Sequence, residues 1–472
     1  MTRKIHLYLS LFMLGVAGTA WADENSDLDS IPGTIGQQPP TAPNPPATTS
    51  SSGALSTKTY VEDAFTQDVL RSHLAVPLPS SSSPSLDWQN RTSLDEVATW
   101  HAAEGLDATV SDRFNLFEQN NYAFPVHQDI QNDFREGYVT WQGAPETYLE
   151  AGRINIRHGV AVGFNPTDFF KTRTLVDQAS QDPSVLRNDR LGTGMVQAQK
   201  IFEGGSIALD IAPKLRSVQA IPVSTPAPSF DPGFGRTNSE NRMLLSGSYD
   251  IGGGMTPELL AYHADSGTKF GANISRTIGQ SVVAYAEWAG GNEASLTSRA
   301  IEFGKLTGTL PAAVPDSDSG THFQNDAAIG ASWTSAVDKL TLNLEYHYHQ
   351  SAFSGSDWHN WFTEGNSHTP NINGVLWYIR SYAQDQQEPM SQQEVFLRAD
   401  WTDAFIDKLE LSAIAFVNVY DGSMLTQGTA SYYVSDAWTL SALVGGTIGG
   451  AHTQQGSTPQ EASFIAEATR YF

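Results

Sequence analysis

Charged residues set at every second position are the part of this chain best suited to chemistry. Arg153, Asn155 and Arg157 alternate with Ile154 and Ile156. In an extended strand alternate side chains share a face, so the isoleucines would meet lipid and the polar three an aqueous interior. Glu136 stands on the preceding segment, within reach of that row. Guanidinium groups opposite carboxylates make a transverse field, which orients polar or anionic solutes at a constriction. The same pairs would equally serve to hold a wall together. Glu345, His347 and His349 form a second alternating set; Glu394, Arg398 and Asp400 form a third, and Glu410 follows. All are expected to line a pore. Alternating His can ligate a metal, but the period of two accounts for this spacing, and no metal is expected.

Two further segments admit two readings each. Asn165-Pro166-Thr167-Asp168 opens a long stretch reaching Arg190. Asn-Pro initiates turns, and the stretch either folds inward to narrow a pore or forms an external loop. Asp357-Trp358-His359-Asn360-Trp361-Phe362 concentrates aromatics. Trp358 and Trp361 could stack on sugar rings, or belong to an interfacial girdle. Nothing matches G-x-S-x-G, H-E-x-x-H or a phosphate-binding loop, so neither catalysis nor a cofactor is expected.

Strands must position these residues. Lys339 to His349 places Leu340, Leu342, Leu344, Tyr346 and Tyr348 on one face and only polar residues on the other. Gln393–Trp401 and Lys408–Tyr420 alternate in the same way, the latter with Ile414 and Phe416 among its polar face. Sixteen such segments begin near residues 107, 133, 146, 192, 204, 240, 256, 268, 280, 326, 338, 392, 408, 422, 436 and 461, and fainter ones near 296 and 375 would make eighteen. Tight joins fall near 142–145, 203–205, 335–338 and 404–407; long loops near 158–190, 214–238, 303–324 and 350–373.

Composition agrees. Met1 to Ala22 has Arg3 and Lys4, a short apolar run and Ala20-Trp21-Ala22, the pattern of a cleaved signal peptide. Residues 23–58 are rich in Pro, Ser and Thr and cannot bury a core, so a disordered segment is expected. Residues 59–105 read as a periplasmic lead-in or plug, with short helices near Tyr60–Leu74 and Leu94–Ala103. The chain has no Cys, which removes disulfides and thiolate chemistry. A formal charge of −24 disfavours nucleic-acid binding. Past residue 22 no run of about 18 apolar residues occurs, so a spanning structure must be a closed barrel.

The last twelve residues, E-A-S-F-I-A-E-A-T-R-Y-F, alternate with Phe464 and Phe472 on the apolar face. This end resembles the closing strand of Gram-negative outer-membrane β-barrels, which makes Phe464 and Phe472 closure residues. Arg470 departs from that pattern, which has an apolar or aromatic residue there. Residues 133–170, with R-E-x-Y, a tight turn, then G-R-I-N-I-R-H-G and N-P-T-D, resemble porin-related outer-membrane proteins; some alginate-export-type barrels have a similar G-R strand. The resemblance implies an integral protein of the outer membrane, with lipid, lipopolysaccharide and the barrel-assembly machinery as partners. It admits a homotrimer. Together these readings predict an all-β transmembrane antiparallel barrel of 16–18 strands over 106–472. The expected function is passive diffusion of small hydrophilic solutes. The alternatives are export of an extracellular polysaccharide and a closed structural or adhesive barrel.

Overall fold

The computed structural model describes residues 53–78, 88–120, 129–176, 179–221, 228–316, 320–335, 337–367 and 371–472. The expected signal peptide and most of the Pro-rich segment lie outside them. Eighteen strands form: β1 (Leu55–Leu70), β2 (Trp88–Ala103), β3 (Leu106–Asn120), β4 (Ile130–Ala144), β5 (Thr147–Ile154), β6 (Thr193–Phe202), β7 (Gly205–Ala212), β8 (Arg242–Tyr249) and β9 (Glu258–Ala264), followed by β10 (Gly267–Ile278), β11 (Val282–Glu293), β12 (His322–Ser335), β13 (Leu340–His349), β14 (Gln393–Trp401), β15 (Leu409–Asn418), β16 (Met424–Ser435), β17 (Trp438–Ile448) and β18 (Gln460–Tyr471). Each pairs antiparallel with its chain neighbours, and β18 returns to pair with β1, from Tyr60 opposite Tyr471 to Leu70 opposite Gln460. The sheet is therefore closed, with no free edge.

The sixteen segments read from period two are β3 to β18. The other two strands are β1 and β2, so Leu55–Leu70 and Trp88–Ala103 are barrel wall rather than a lead-in or helical plug, and the barrel starts at Leu55. The faint segments near 296 and 375 are helices instead. Leu296, Ala300, Ile301 and Gly304 are buried along one, a helical spacing that a period-two reading misses.

The wall alternates as expected where it is regular. In β13, Asn343, Glu345, His347 and His349 are buried inward, while Leu342, Leu344 and Tyr346 are exposed on the outside. In β15, Ile414 is buried inward beside polar neighbours.

Among the described residues five helices lie in the long connections: α1 (Pro183–Asn188), α2 (Phe234–Thr237), α3 (Leu296–Leu306), α4 (Gly355–Gly365) and α5 (Ile372–Gln386). Ser354 and Asp357 cap α4 reciprocally, each side chain binding the other's backbone N–H. Helices α3, α4 and α5 share an apolar core with Val76 and Ile221 from other loops, so the long connections cap one mouth. The Arg380 guanidinium lies 5.2–5.5 Å from the rings of Trp358, Trp361 and Trp377. It also donates to Ser457 and the Gln454 carbonyl, which ties α5 to the β17–β18 loop.

Candidate functional site: an inward segment across the lumen

Between β5 and β6 the chain leaves the wall and crosses the interior. The opposite wall receives it with three buried carboxylates from alternate strands: Glu258 on β9, Glu287 on β11 and Glu345 on β13. His158 Nδ1 lies 3.1 Å from Glu258. The backbone N–H groups of Val160 and Ala161 both donate to Glu287, and those of Val162 and Gly163 both donate to Glu345. Side-chain carboxyl oxygens accept from a run of backbone donors that would otherwise be orphaned away from water. Tight approach explains two glycines. Gly159 has φ +97°, and a Cβ there would strike the Glu287 carboxylate; a Cβ on Gly163 would sit 2.6 Å from Phe396.

Past that contact the segment packs on the wall. Phe169 stacks on Tyr262 at 4.8 Å, within an apolar cluster that includes Ile154, Ile156, Phe170, Met195, Leu244 and Leu260. Asn165, Thr167 and Asp168 are buried, so the Asn-Pro-Thr-Asp turn is interior. Lys171 Nζ donates to the Asn165 carbonyl at 2.7 Å and lies 4.2 Å from the Phe164 ring centre. Burial pushes its amine down to about 8.

Its C-terminal half then recrosses the lumen. Asp182 accepts from Arg398 of β14 at 2.7 Å, and Arg398 also holds Asp400 at 2.6 Å. The backbone N–H of Gln181 donates to Gln427 of β16. Asp189 reaches the other side, where it accepts from Arg113 of β3 at 2.6 Å and Arg135 of β4 at 2.7 Å. Arg113 also holds Glu62, and Arg135 also holds Asp95. The segment is therefore braced on both sides of the barrel by ion pairs in a low-dielectric interior.

The expected pore residues divide. Glu136 accepts the Asn155 N–H at 3.0 Å, the Asn155 side chain accepts from Arg190 at 2.6 Å, and Arg157 binds Asn188. His347 contacts Glu345 at 2.8 Å, Glu394 is buried beside Gln454, and Glu410 accepts from Tyr433 at 2.8 Å. Arg153 is a correction. It occupies the outward parity, beneath the β7–β8 connection, where it donates to the carbonyls of Gly192 and Pro232 and faces Phe134 and Phe234. Ile154 and Ile156 point inward instead. The wall is covered on both sides at the end of β5, so apolar no longer means lipid-facing there. Trp358 and Trp361 are a second correction. They are 4% and 2% exposed, with faces already met by Phe353, Phe362, Trp377 and Arg380, so they offer no platform to a sugar.

Asp326, His349 and Ser351 line up at 2.5 and 3.2 Å, in the order of a hydrolase relay. Arg299 donates to both Ser351 and Glu388, and Glu388 lies 3.4 Å from His349. The buried row thus joins α3 to the barrel wall. Phe464 faces outward on β18, opposite Gln67 and Val444, and the Phe472 N–H donates to the Thr59 carbonyl at 3.0 Å. Phe464 lies within the closing strand and Phe472 directly follows it. Period-two reasoning did not single out Glu258, Glu287, Arg113, Arg135 or Asp189, whose roles arise only from the crossing segment.

No protein-family description matches the chain, and no curated protein matches it. Solved structures do. OccK8 (OprE) of Pseudomonas aeruginosa is 10% identical with a TM-score of 0.51, over 89% of this chain and 99% of that one. OccK11 (OpdR) of the same organism is 10% identical with a TM-score of 0.50, over 89% and 98%. A BenF-like porin from Pseudomonas fluorescens Pf-5 is 8% identical with a TM-score of 0.50, over 89% and 98%. The likeness is one of fold: this chain is a closed 18-stranded antiparallel β-barrel, the fold it shares with these neighbours.

Proposed function

We propose that the protein is an outer-membrane channel for passive diffusion of small hydrophilic solutes, with residues 155–192 as its constriction. The observation that carries this reading is the crossing segment, fixed to opposite walls of an 18-stranded barrel with a polar interior. Barrels of this width have room for an aqueous path, and a braced crossing segment narrows that path without closing on demand. The porin-type fold supports the same reading, as does an exterior rich in apolar residues. Outer-membrane lipid, lipopolysaccharide and the assembly machinery are the partners that follow from it. Polysaccharide export keeps only the likeness of its G-R strand as a motive, because the tryptophans that also suggested it are buried.

Planar-bilayer recording tests the proposal. Folded protein should give stable, small unitary currents. Absence of conductance at every voltage would sink the channel and leave a closed structural barrel.

A further inference from the structure

The outer wall is uneven. From β5 to β18, no Asp or Glu occupies an outward strand position among the described residues. Beyond the covered Arg153, outward basic residues such as Lys200, Arg276 and Arg470 lie toward the short-turn ends. On β1 to β3 the outward face carries Asp63, Glu96 and Asp112, on the parity of exposed Phe65, Leu94 and Val110. Glu96 is opposite Asp112 in register. Counted from the short turn between Ala103 and Leu106, Glu96 is the eighth residue of its strand and Asp112 the seventh. The pair faces outward on strands of 16 and 15 residues, longer than the about 9–11 that span a membrane. Hydrocarbon disfavours a charge on an outward face, and like charges directly opposite destabilise a sheet. Asn132 donates to Asp112, while Glu96 is exposed and has no hydrogen bond or ion pair among the described residues.

A matching cation stands across β1. Arg470 on β18 points outward, opposite Val61, and its guanidinium rests over the rings of Trp438 and Phe472 with no carboxylate among the described residues. Glu96 is opposite Thr59 on the other flank of the same strand. The acid and the base are thus two β1 residues apart, on either side of β1. A two-fold axis along the membrane normal, passing outside β1, sets β18 of each copy against β2 of the other. Such an interface is self-complementary.

We propose that the β1 face is the interface with a second copy of this chain, in which Arg470 of each barrel pairs with the partner's Glu96 and Asp112. This rests on the bilayer reading above, not on conductance. It puts a dimer in place of the homotrimer that the resemblance admitted.

Thr59 lies near the axis, and the chain has no cysteine of its own, so Thr59→Cys provides a single reporter. Under mild oxidation in liposomes, T59C should give a two-chain disulfide species, and the wild type in mild detergent should have twice the chain mass. R470E or E96R alone should lower the crosslinked fraction at least tenfold, and the double exchange R470E/E96R should restore it. An embedded barrel that stays monomeric and uncrosslinked overturns the inference alone. A trimer without the Thr59 crosslink also overturns it, because the two-fold contact across β1 is then absent. Protein that does not co-float with the vesicles overturns the bilayer reading, and this inference with it.

Discussion

Arg190 and Asp168 meet at 2.9 Å inside the crossing segment, each side chain about 2% exposed. Arg190 also donates to the Ile156 carbonyl, so one guanidinium links the start, middle and end of the segment. Breaking a buried pair strands a charge, at a cost of about 3–5 kcal/mol. Arg190→Ala should therefore free the segment locally without opening the barrel. Noisier and larger unitary currents, with an unchanged thermal midpoint for the β-sheet signal, are the expected result; an unaltered current would show that the ion pairs at Asp189 and Asp182 suffice.

The docking of the segment should depend on pH in two opposite ways. Burial disfavours the Asp168 charge, but Arg190 overrides it and holds the carboxyl below the usual range. That stabilisation is complete above the ordinary carboxylate value of about 3.9 and is lost as pH falls through the folded value. Burial likewise disfavours charge on His158, but the hydrogen bond to Glu258 overrides it and raises the imidazole. That contribution is complete below about 6.5 and is lost as pH rises through the folded value. Docking should be firmest between about pH 4 and 6.5. Current noise followed from pH 3 to 9 checks this, and Glu258→Gln should remove the alkaline arm only.

Asp189 neutralises part of the charge on Arg113 and Arg135. With a formal charge of −24 on the chain, the wild-type pore should prefer cations modestly. Asp189→Asn would leave more positive field at the crossing, and the reversal potential in a potassium chloride gradient should move toward anions. A wild-type channel already selective for anions would show that the arginines, not the acidic loops, govern the field.

Arg380 is held by three indoles and two oxygen acceptors. Cation–π contacts contribute about 0.5–2 kcal/mol each, depending on desolvation, and a lysine cannot reproduce the planar stacking. Arg380→Lys should loosen the helical cap. Faster protease cleavage within residues 294–392, with the barrel itself resistant, is the expected readout.

How much of this was legible in the sequence depended on what each strand faces. β3 to β18 were legible because their outward residues are apolar and their inward ones polar, as in β13. β1 and β2 were not, because Thr59, Asp63, Asn90, Thr92 and Glu96 make their outward face polar too. Glu96, which marks the proposed interface, is thus part of what erased the strand signal of β2. Arg153 was placed on the wrong face for the converse reason, since Ile154 packs on Phe169 and its neighbours inside rather than on lipid. The crossing segment was recognisable as a long connection opened by Asn-Pro. Its inward path was not, because the carboxylates that receive it are about 100 to 180 residues away in the chain.

The pairing of β1 with β18 has a kinetic consequence. Gln460 lies 390 residues beyond Leu70, its partner in the seam, and contacts so distant in the chain are among the slowest to form. Until the last strand arrives, every intermediate has two unpaired strand edges, which are templates for aggregation. The nascent chain therefore needs shelter from end to end, and loss of a few C-terminal residues should be as disabling as loss of a whole hairpin.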